Sequence, residues 1–248
     1  MTLDTSVTLT APLCEADAVR AVEREIGYRF RNTELLKGST HTWHRLFGPL
    51  EHLGDAIADL VVGINCYRAG LGPEQAARIV DNAHLELVVA RRLRRVVKPR
   101  TGDVIEALIG AVHLDSDINH AAQVTTRLLM PDRRWVPMPE VEATVLQAGE
   151  PTLVWLGALA LDAVIADELI RRRGAGRTSQ RELSRHRSEL VATVNLERMV
   201  RRSTQLPAPI VDARTFKAAI ARTMIDAGWS STREVVVRLL CRSDPVPT

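Results

Sequence analysis

The chain has 248 residues, of which 46% are hydrophobic and 25% are charged, and its net charge is +3. This composition excludes a disordered or fibrous protein, and the length suffices for one large domain or for two of roughly 120 residues each. The three cysteines, Cys14, Cys66 and Cys241, lie far apart in the chain. Their spacing excludes a disulfide framework and a paired-cysteine metal site.

No segment has the pattern of a membrane span or of an export signal. Residues 153–161 form the longest apolar run, which is too short to cross a bilayer. Residues 1–17 lack the basic start and the apolar run of a signal peptide. We therefore expect a cytoplasmic protein without a membrane partner.

Helical periodicity runs through most of the chain. Apolar residues recur at three- and four-residue spacing in five successive segments, 16–27, 32–40, 50–63, 72–97 and 103–117. Alternating strand patterns are few. Three prolines between residues 130 and 142 interrupt the helical pattern and predict a linker at 134–143. The sequence therefore predicts an all-α fold.

Two pairs of acids stand out within these apolar helices. Glu51 and Asp55 are four residues apart, and Asp103 and Glu106 are three apart, so each pair shares one helix face. One interpretation is that all four are separate solvated acids, since most Asp and Glu side chains are exposed. Like charges on one helix face repel each other, however, and this interpretation does not explain why such apolar helices carry them.

The second part of the chain repeats the pattern of the first. Residues 49–63 align without gaps on 152–166, and residues 103–115 align on 214–226, with offsets that differ by only eight residues. Conserved order and spacing of this kind are typical of an internal repeat. We predict a tail at 1–15, one helical domain at 16–133 and a homologous one at 144–248.

Three motifs of the first domain resemble the ribonuclease III family: "GYRFRNTELLKGSTHTW" (27–43), "LEHLGDAIADL" (50–60) and "TGDVIEALIGAVHLD" (101–115). The resemblance implies a Mg²⁺ site, in which Mn²⁺ can substitute. Its metal ligands and catalytic residues would be Glu51, Asp55, Asp103 and Glu106. The resemblance also implies double-stranded RNA as the substrate, and products with 5′-phosphate and 3′-hydroxyl ends.

The same four positions of the second domain carry no carboxylate, since they are Val154, Ala158, Arg214 and Lys217. Two cations there would repel a metal and favour a phosphate. The segment 182–202 also resembles a helix of the family, so we predict a degenerate ribonuclease III-like domain. Because family members work as dimers, the two domains are expected to pair within one chain as a pseudo-dimer, with a homodimer of two chains as the alternative.

Some positions depart from the family pattern. Gly48 stands where the family often has a further acid, three residues before Glu51. In the family, a bulky apolar residue often follows the first acid and packs into the partner domain. Here that position is His52 in the first domain and Trp155 in the second. This asymmetry favours pairing of the catalytic domain with the degenerate one.

Basic residues cluster in two places. Residues 90–100 hold six basic residues and no acid, and residues 171–187 hold seven arginines and one glutamate. Such runs are usually solvated faces, but phosphate contacts supply most non-specific affinity for RNA. The candidate RNA-binding residues are Arg91, Arg92, Arg94, Arg95, Arg172, Arg173, Arg177, Arg214 and Lys217.

Two other functions remain open. A non-cleaving factor that binds double-stranded RNA or assembles ribosomes would explain Gly48 and the degenerate second domain. It would also explain why nothing after residue 235 resembles a double-stranded-RNA-binding module. The other alternative is an inhibitory or scaffolding partner of another nuclease. Metal-dependent turnover distinguishes the enzyme from both.

Overall fold

The computed structural model describes residues 15–94, 97, 101–133, 150–202 and 210–241. Within these ranges the chain forms α-helices and no strand, which confirms the all-α prediction. The predicted linker at 134–143, most of the predicted tail and Arg95 lie outside the described residues. The helices are α1 (Glu15–Ile26), α2 (Thr33–Thr40), α3 (Phe47–Arg68), α4 (Pro73–Ile79), α5 (Asn82–Val88), α6 (Asp103–Asp115), α7 (Ile118–Leu129), α8 (Glu150–Arg173), α9 (Gln180–Val191), α10 (Thr193–Arg202) and α11 (Ala213–Val236).

Polar side chains set where several helices begin. Asn32 accepts a hydrogen bond from the backbone N–H of Glu34 at 3.0 Å and so caps α2. The segment 72–97 does not form one continuous helix, because Asp81 caps a new helix by accepting from the N–H of Ala83 at 3.1 Å. A π-helical turn, Val89–Leu93, then follows α5. Periodicity alone does not show such an interruption.

Asp115 anchors the chain before α2 to the end of α6. Its carboxylate accepts hydrogen bonds from the Tyr28 hydroxyl at 2.8 Å and from the backbone N–H groups of Arg31 and Asn32 at 2.7 and 2.8 Å. The Asp115 carboxylate is thus fully engaged in holding the lead-in segment in place.

Helices α3 and α6 form the buried centre of the first half, which we define as residues 15–133. The two helices approach closely where each has a glycine. A Cβ on Gly54 would lie 1.7 Å from the carbonyl oxygen of Glu106, and a Cβ on Gly110 would lie 2.1 Å from that of Leu50. No larger residue fits at either position, because real Cβ atoms do not approach backbone oxygens so closely.

Helices α8 and α11 form an equivalent pair in the second half, defined as residues 150–241. A Cβ on Gly157 would lie 1.8 Å from the carbonyl oxygen of Lys217. In α11 the backbone is interrupted at Gly228, whose φ of 76° lies in the left-handed region that glycine favours. The interruption falls at the place that corresponds to the gap between α6 and α7.

The two halves contact each other mainly through α3 of the first half and α8 and α9 of the second. A Cβ on Gly63 of α3 would lie 2.5 Å from Leu159 and 3.4 Å from the ring of Trp155, both in α8. His113 of α6 bonds through Nε2 to the buried carboxylate of Asp167 in α8, at 2.9 Å. Within the described residues, no helix is both long enough and apolar enough to cross a membrane.

Candidate active site

Three carboxylates converge where α3 crosses α6. Glu51 projects from α3, and Asp103 and Glu106 project from the first turn of α6. One oxygen of each lies within 4.8 Å of one oxygen of each of the others. We call these three residues the acidic cluster. The close approach at Gly54 brings them together, because Gly54 lies one turn after Glu51 and contacts the backbone of Glu106.

The acidic cluster is electrostatically strained when it holds no cation. Burial, then repulsion from Asp103, raises the pKa of Glu51 to about 7. Burial, then the charges of Asp55 and Glu51, raises the pKa of Glu106 to about 8. Near neutral pH these carboxyls therefore hold protons that a cation could displace.

The donor set suits a hard divalent cation. Carboxylate oxygens are the ligands that Mg²⁺ and Mn²⁺ prefer, and Mg²⁺ is usually held by few protein carboxylates because it keeps several waters. Glu106 is 91% buried, whereas Glu51 and Asp103 are only half-buried and leave one side of the cluster open. The three residues present thus fit such an ion.

Asp55, the fourth predicted site residue, lies beside the acidic cluster rather than within it. Its Oδ2 is 3.5 Å from the guanidinium of Arg187 in α9, and Nε of Arg187 is 3.9 Å from Asp162 in α8. Burial and the charge of Asp55 raise the pKa of neighbouring Asp59 to about 7. Arg187 thus joins acids of both halves across their contact.

Helix α9 of the second half lies along the first two turns of α3. Its residues at positions 180, 184 and 187 share one face. Gln180 donates from Nε2 to Oε1 of Glu51 at 2.6 Å, and Ser184 Oγ lies 3.3 Å from Nδ1 of His52. Sequence reasoning missed the contacts of Gln180, Ser184 and Arg187. The resemblance of segment 182–202 to a family helix was a signal for Ser184 and Arg187 only, and it did not show which surface that helix covers.

His52 and Trp155 both reach from one half to the other. His52 is 3% exposed, and burial together with Arg187 lowers its pKa to about 4. It is therefore neutral at physiological pH and contacts Ser184 in α9. Trp155 is half-buried and lies against Gly63 of α3.

The second half offers no acidic cluster at the matching place. Val154 and Ala158 lie half-buried on α8, Arg214 is exposed and Lys217 is half-buried, both on α11. The backbone oxygen of Lys217 lies against Gly157. The backbone oxygen of Glu106 lies against Gly54 in the same way. Burial raises the pKa of Asp162, and the positive charges of Arg187 and Lys217 partly oppose this rise.

Six of the candidate RNA-binding arginines lie in two separate regions, apart from Arg214 on α11. Arg91, Arg92 and Arg94 follow α5, and a nitrogen of Arg92 lies 3.5 Å from Glu25. Three others, Arg172, Arg173 and Arg177, lie at the end of α8 and just before α9. Arg172 pairs with Glu168 at 2.6 Å, and Arg173 contacts the ring of His186. The second region adjoins α9, whose Gln180 contacts Glu51 of the acidic cluster.

No family model matches the chain. Two curated proteins that are similar to it are both named Ribonuclease 3. The one from Campylobacter curvus (strain 525.92) is 29% identical over 133 residues, which cover 44% of this chain and 60% of the relative. The one from Campylobacter fetus subsp. fetus (strain 82-40) is 28% identical over 138 residues, which cover 46% of this chain and 62% of the relative.

The chain thus spans about three fifths of the length of these curated relatives. The similarity supports a ribonuclease III-like relationship over less than half of the chain.

Proposed function

We propose that the chain is a Mg²⁺-dependent endoribonuclease that hydrolyses double-stranded RNA. The observation that carries this proposal is the acidic cluster, in which Glu51, Asp103 and Glu106 meet within 4.8 Å at the positions of the ribonuclease III-like motifs. Separate solvated acids would not converge between two apolar helices, where burial and mutual repulsion oppose their ionisation.

Three acids of the site hold the metal ion in this proposal, and a fourth lies beside them. Glu51, Asp103 and Glu106 hold the cation, and Asp55 stands next to them, held by Arg187. The bound ion would supply Lewis-acid activation of a water and stabilise charge on the phosphodiester. The water gives up a proton as its oxygen bonds to phosphorus, and the bond from phosphorus to the 3′ oxygen breaks. The 3′ oxygen takes up a proton, so the products carry 5′-phosphate and 3′-hydroxyl ends.

The second half contributes binding and structure in the proposal rather than a second reaction centre. Its matching positions, Val154, Ala158, Arg214 and Lys217, provide no oxygen ligand for a metal. The contacts of His52 with Ser184 and of Trp155 with Gly63 support pairing of the two halves inside one chain as a pseudo-dimer. Arg172, Arg173 and Arg177 would contact the RNA backbone beside the site.

The test compares substrates of different strandedness with the purified full chain. We expect Mg²⁺-dependent cleavage of an RNA duplex, slower or no cleavage of single-stranded RNA and of duplex DNA, and loss of cleavage in chelator. The ends are identified by ligation, which requires a 5′-phosphate and a 3′-hydroxyl. Equal cleavage in chelator would contradict the metal-dependent mechanism.

A second candidate function is that of a double-stranded-RNA-binding or ribosome-assembly factor that does not cut. The observation in its favour is that α9 engages two of the predicted catalytic acids, Glu51 through Gln180 and Asp55 through Arg187. Duplex binding without turnover in either Mg²⁺ or Mn²⁺ would support this candidate over the nuclease.

A further inference from the structure

Gln180 belongs to the second half but its side chain contacts the acidic cluster of the first. The amide Nε2 donates to Oε1 of Glu51 at 2.6 Å. The side chain passes over Gly48, where a Cβ would lie only 3.1 Å from Cβ of Gln180 and 3.4 Å from its Oε1. A Cβ at this position would press on Gln180 and require it to shift, so glycine at position 48 gives this contact its space.

The contact is not needed to build α9. The N-terminus of that helix is capped by Ser179 and Glu182: Glu182 accepts from the backbone N–H of Ser179 at 2.9 Å, and Ser179 accepts from that of Glu182 at 3.3 Å. This reciprocal arrangement satisfies the helix end without Gln180. The Gln180 side chain is thus free to serve the neighbouring half.

A neutral amide suits the place beside a metal ligand. It donates to one carboxylate oxygen of Glu51 and fixes the orientation of that side chain, while the second oxygen stays available as a ligand. An acid in the same place would repel Glu51, and a Lys or Arg would compete with the cation for it. The amide does neither.

We propose that Gln180 is a positioning residue for Glu51, and that Gly48 is the small residue that makes room for it. The acidic site is then built from both halves of the chain, and the degenerate half is required for the function of the other. This inference rests on the proposed metal-dependent nuclease function.

The test measures Mn²⁺ binding to the full chain without RNA, from the loss of the free-ion electron paramagnetic resonance signal. The variants are Gln180→Ala and Gln180→Met, the second of which keeps the length of the side chain but removes the amide. We expect both to bind Mn²⁺ about 10–100-fold more weakly, as is typical when a residue that orients a metal ligand is removed. We expect kcat to fall while KM for RNA stays unchanged.

The matched control is Gln123→Ala, the same substitution at an exposed position of α7. It should leave Mn²⁺ affinity and kcat unchanged. Gly48→Ala provides an independent variant, because its Cβ displaces Gln180, and it should weaken Mn²⁺ binding as well. Circular dichroism confirms that each variant keeps its helix content.

Two outcomes would overturn the inference in distinguishable ways. If the unmodified chain binds Mn²⁺ and cuts RNA while the two Gln180 variants bind the ion as tightly, Gln180 has no positioning role and the nuclease proposal stands. If the unmodified chain neither binds Mn²⁺ nor cuts a duplex, the proposed function fails, and the inference fails with it.

Discussion

Gly54 meets the backbone oxygen of Glu106 so closely that a Cβ on the glycine would lie 1.7 Å from it. Gly157 and Lys217 repeat this relationship in the second half at 1.8 Å. The same crossing of two helices thus carries a carboxylate in one half and an ammonium in the other. The backbone arrangement persists where the chemistry of the side chains has been exchanged.

Gly54→Ala should destabilise the chain. The added methyl group collides with backbone rather than with a movable side chain, so α3 and α6 must separate, at a cost of about 1–3 kcal/mol or more. The control is Gly72→Ala, where the nearest atom to the new Cβ is 3.4 Å away. The free energy of unfolding from urea titration is the measurement. Equal stability of the two variants would show that the helices do not cross this closely.

Glu106→Gln should remove activity without unfolding the chain. The amide keeps the size of the side chain but cannot give the cluster a third anionic ligand. Removing a residue that merely orients a metal ligand typically reduces activity by 10–100-fold, so we expect cleavage of duplex RNA to fall by more than about 100-fold. Circular dichroism and the melting temperature check the fold. Retained cleavage by a folded variant would remove Glu106 from the proposed chemistry.

The acidic cluster should make the metal-free chain less stable as pH rises. The pKa of Glu51 is about 7 and that of Glu106 about 8 in the folded chain, against an ordinary value of 4.5. The folded state therefore binds more protons than the unfolded state between these values, and the free energy of unfolding falls as pH increases from about 4.5 to about 8.

Melting temperatures in chelator, measured across this pH range, provide the test. In Glu106→Gln the melting temperature should fall less steeply with pH. At pH 9 it should lie a few degrees above that of the unmodified chain, since about 1 kcal/mol corresponds to 2–4 °C for a chain of this size. Saturating Mg²⁺ should also make the fall less steep, because the ion binds the ionised carboxylates. Equal melting temperatures of Glu106→Gln and the unmodified chain at pH 9 would contradict the proposed repulsion within the acidic cluster.

Asp167→Ala should weaken the contact between the halves. Asp167 is fully buried and accepts hydrogen bonds from His113, Arg171 and Arg233 at 2.9, 2.7 and 3.1 Å. Its removal leaves His113 and Arg171 without this carboxylate, whereas Arg233 keeps its ion pair with Glu168. Breaking a buried pair costs about 3–5 kcal/mol. Asp132→Ala, an exposed site after α7, should stay within about 0.5 kcal/mol of the unmodified chain. If chemical denaturation gives similar values for both variants, the buried network does not join the halves.

The helices and the acids of the first half could be predicted because their signals are local. Helical spacing of apolar residues marks α3 and α6, and the spacing of the acids places each pair on one face. The convergence of Glu51 with Asp103 and Glu106 required the family resemblance as well. Nothing in the sequence predicted the contact of Asp55 with Arg187.

The contacts of α9 could not be predicted, for a physical reason. Gln180 is 129 residues from Glu51 along the chain, and periodicity within a helix does not show which other helix it covers. Gln180 is also a neutral residue among arginines, so it carries no signal of its own. The role of Asp167 escaped prediction in the same way, since an acid beside three arginines resembles a solvated helix end.

The most direct test of the account is cleavage of an RNA duplex whose two strands carry different end labels, with the full chain in excess and a single turnover. The described residues contain one acidic cluster, and the second half has no carboxylates at the matching positions. We therefore predict Mg²⁺-dependent cutting of one strand per encounter, lost in Glu106→Gln. Duplexes that are bound but left intact in both Mg²⁺ and Mn²⁺ would contradict the account.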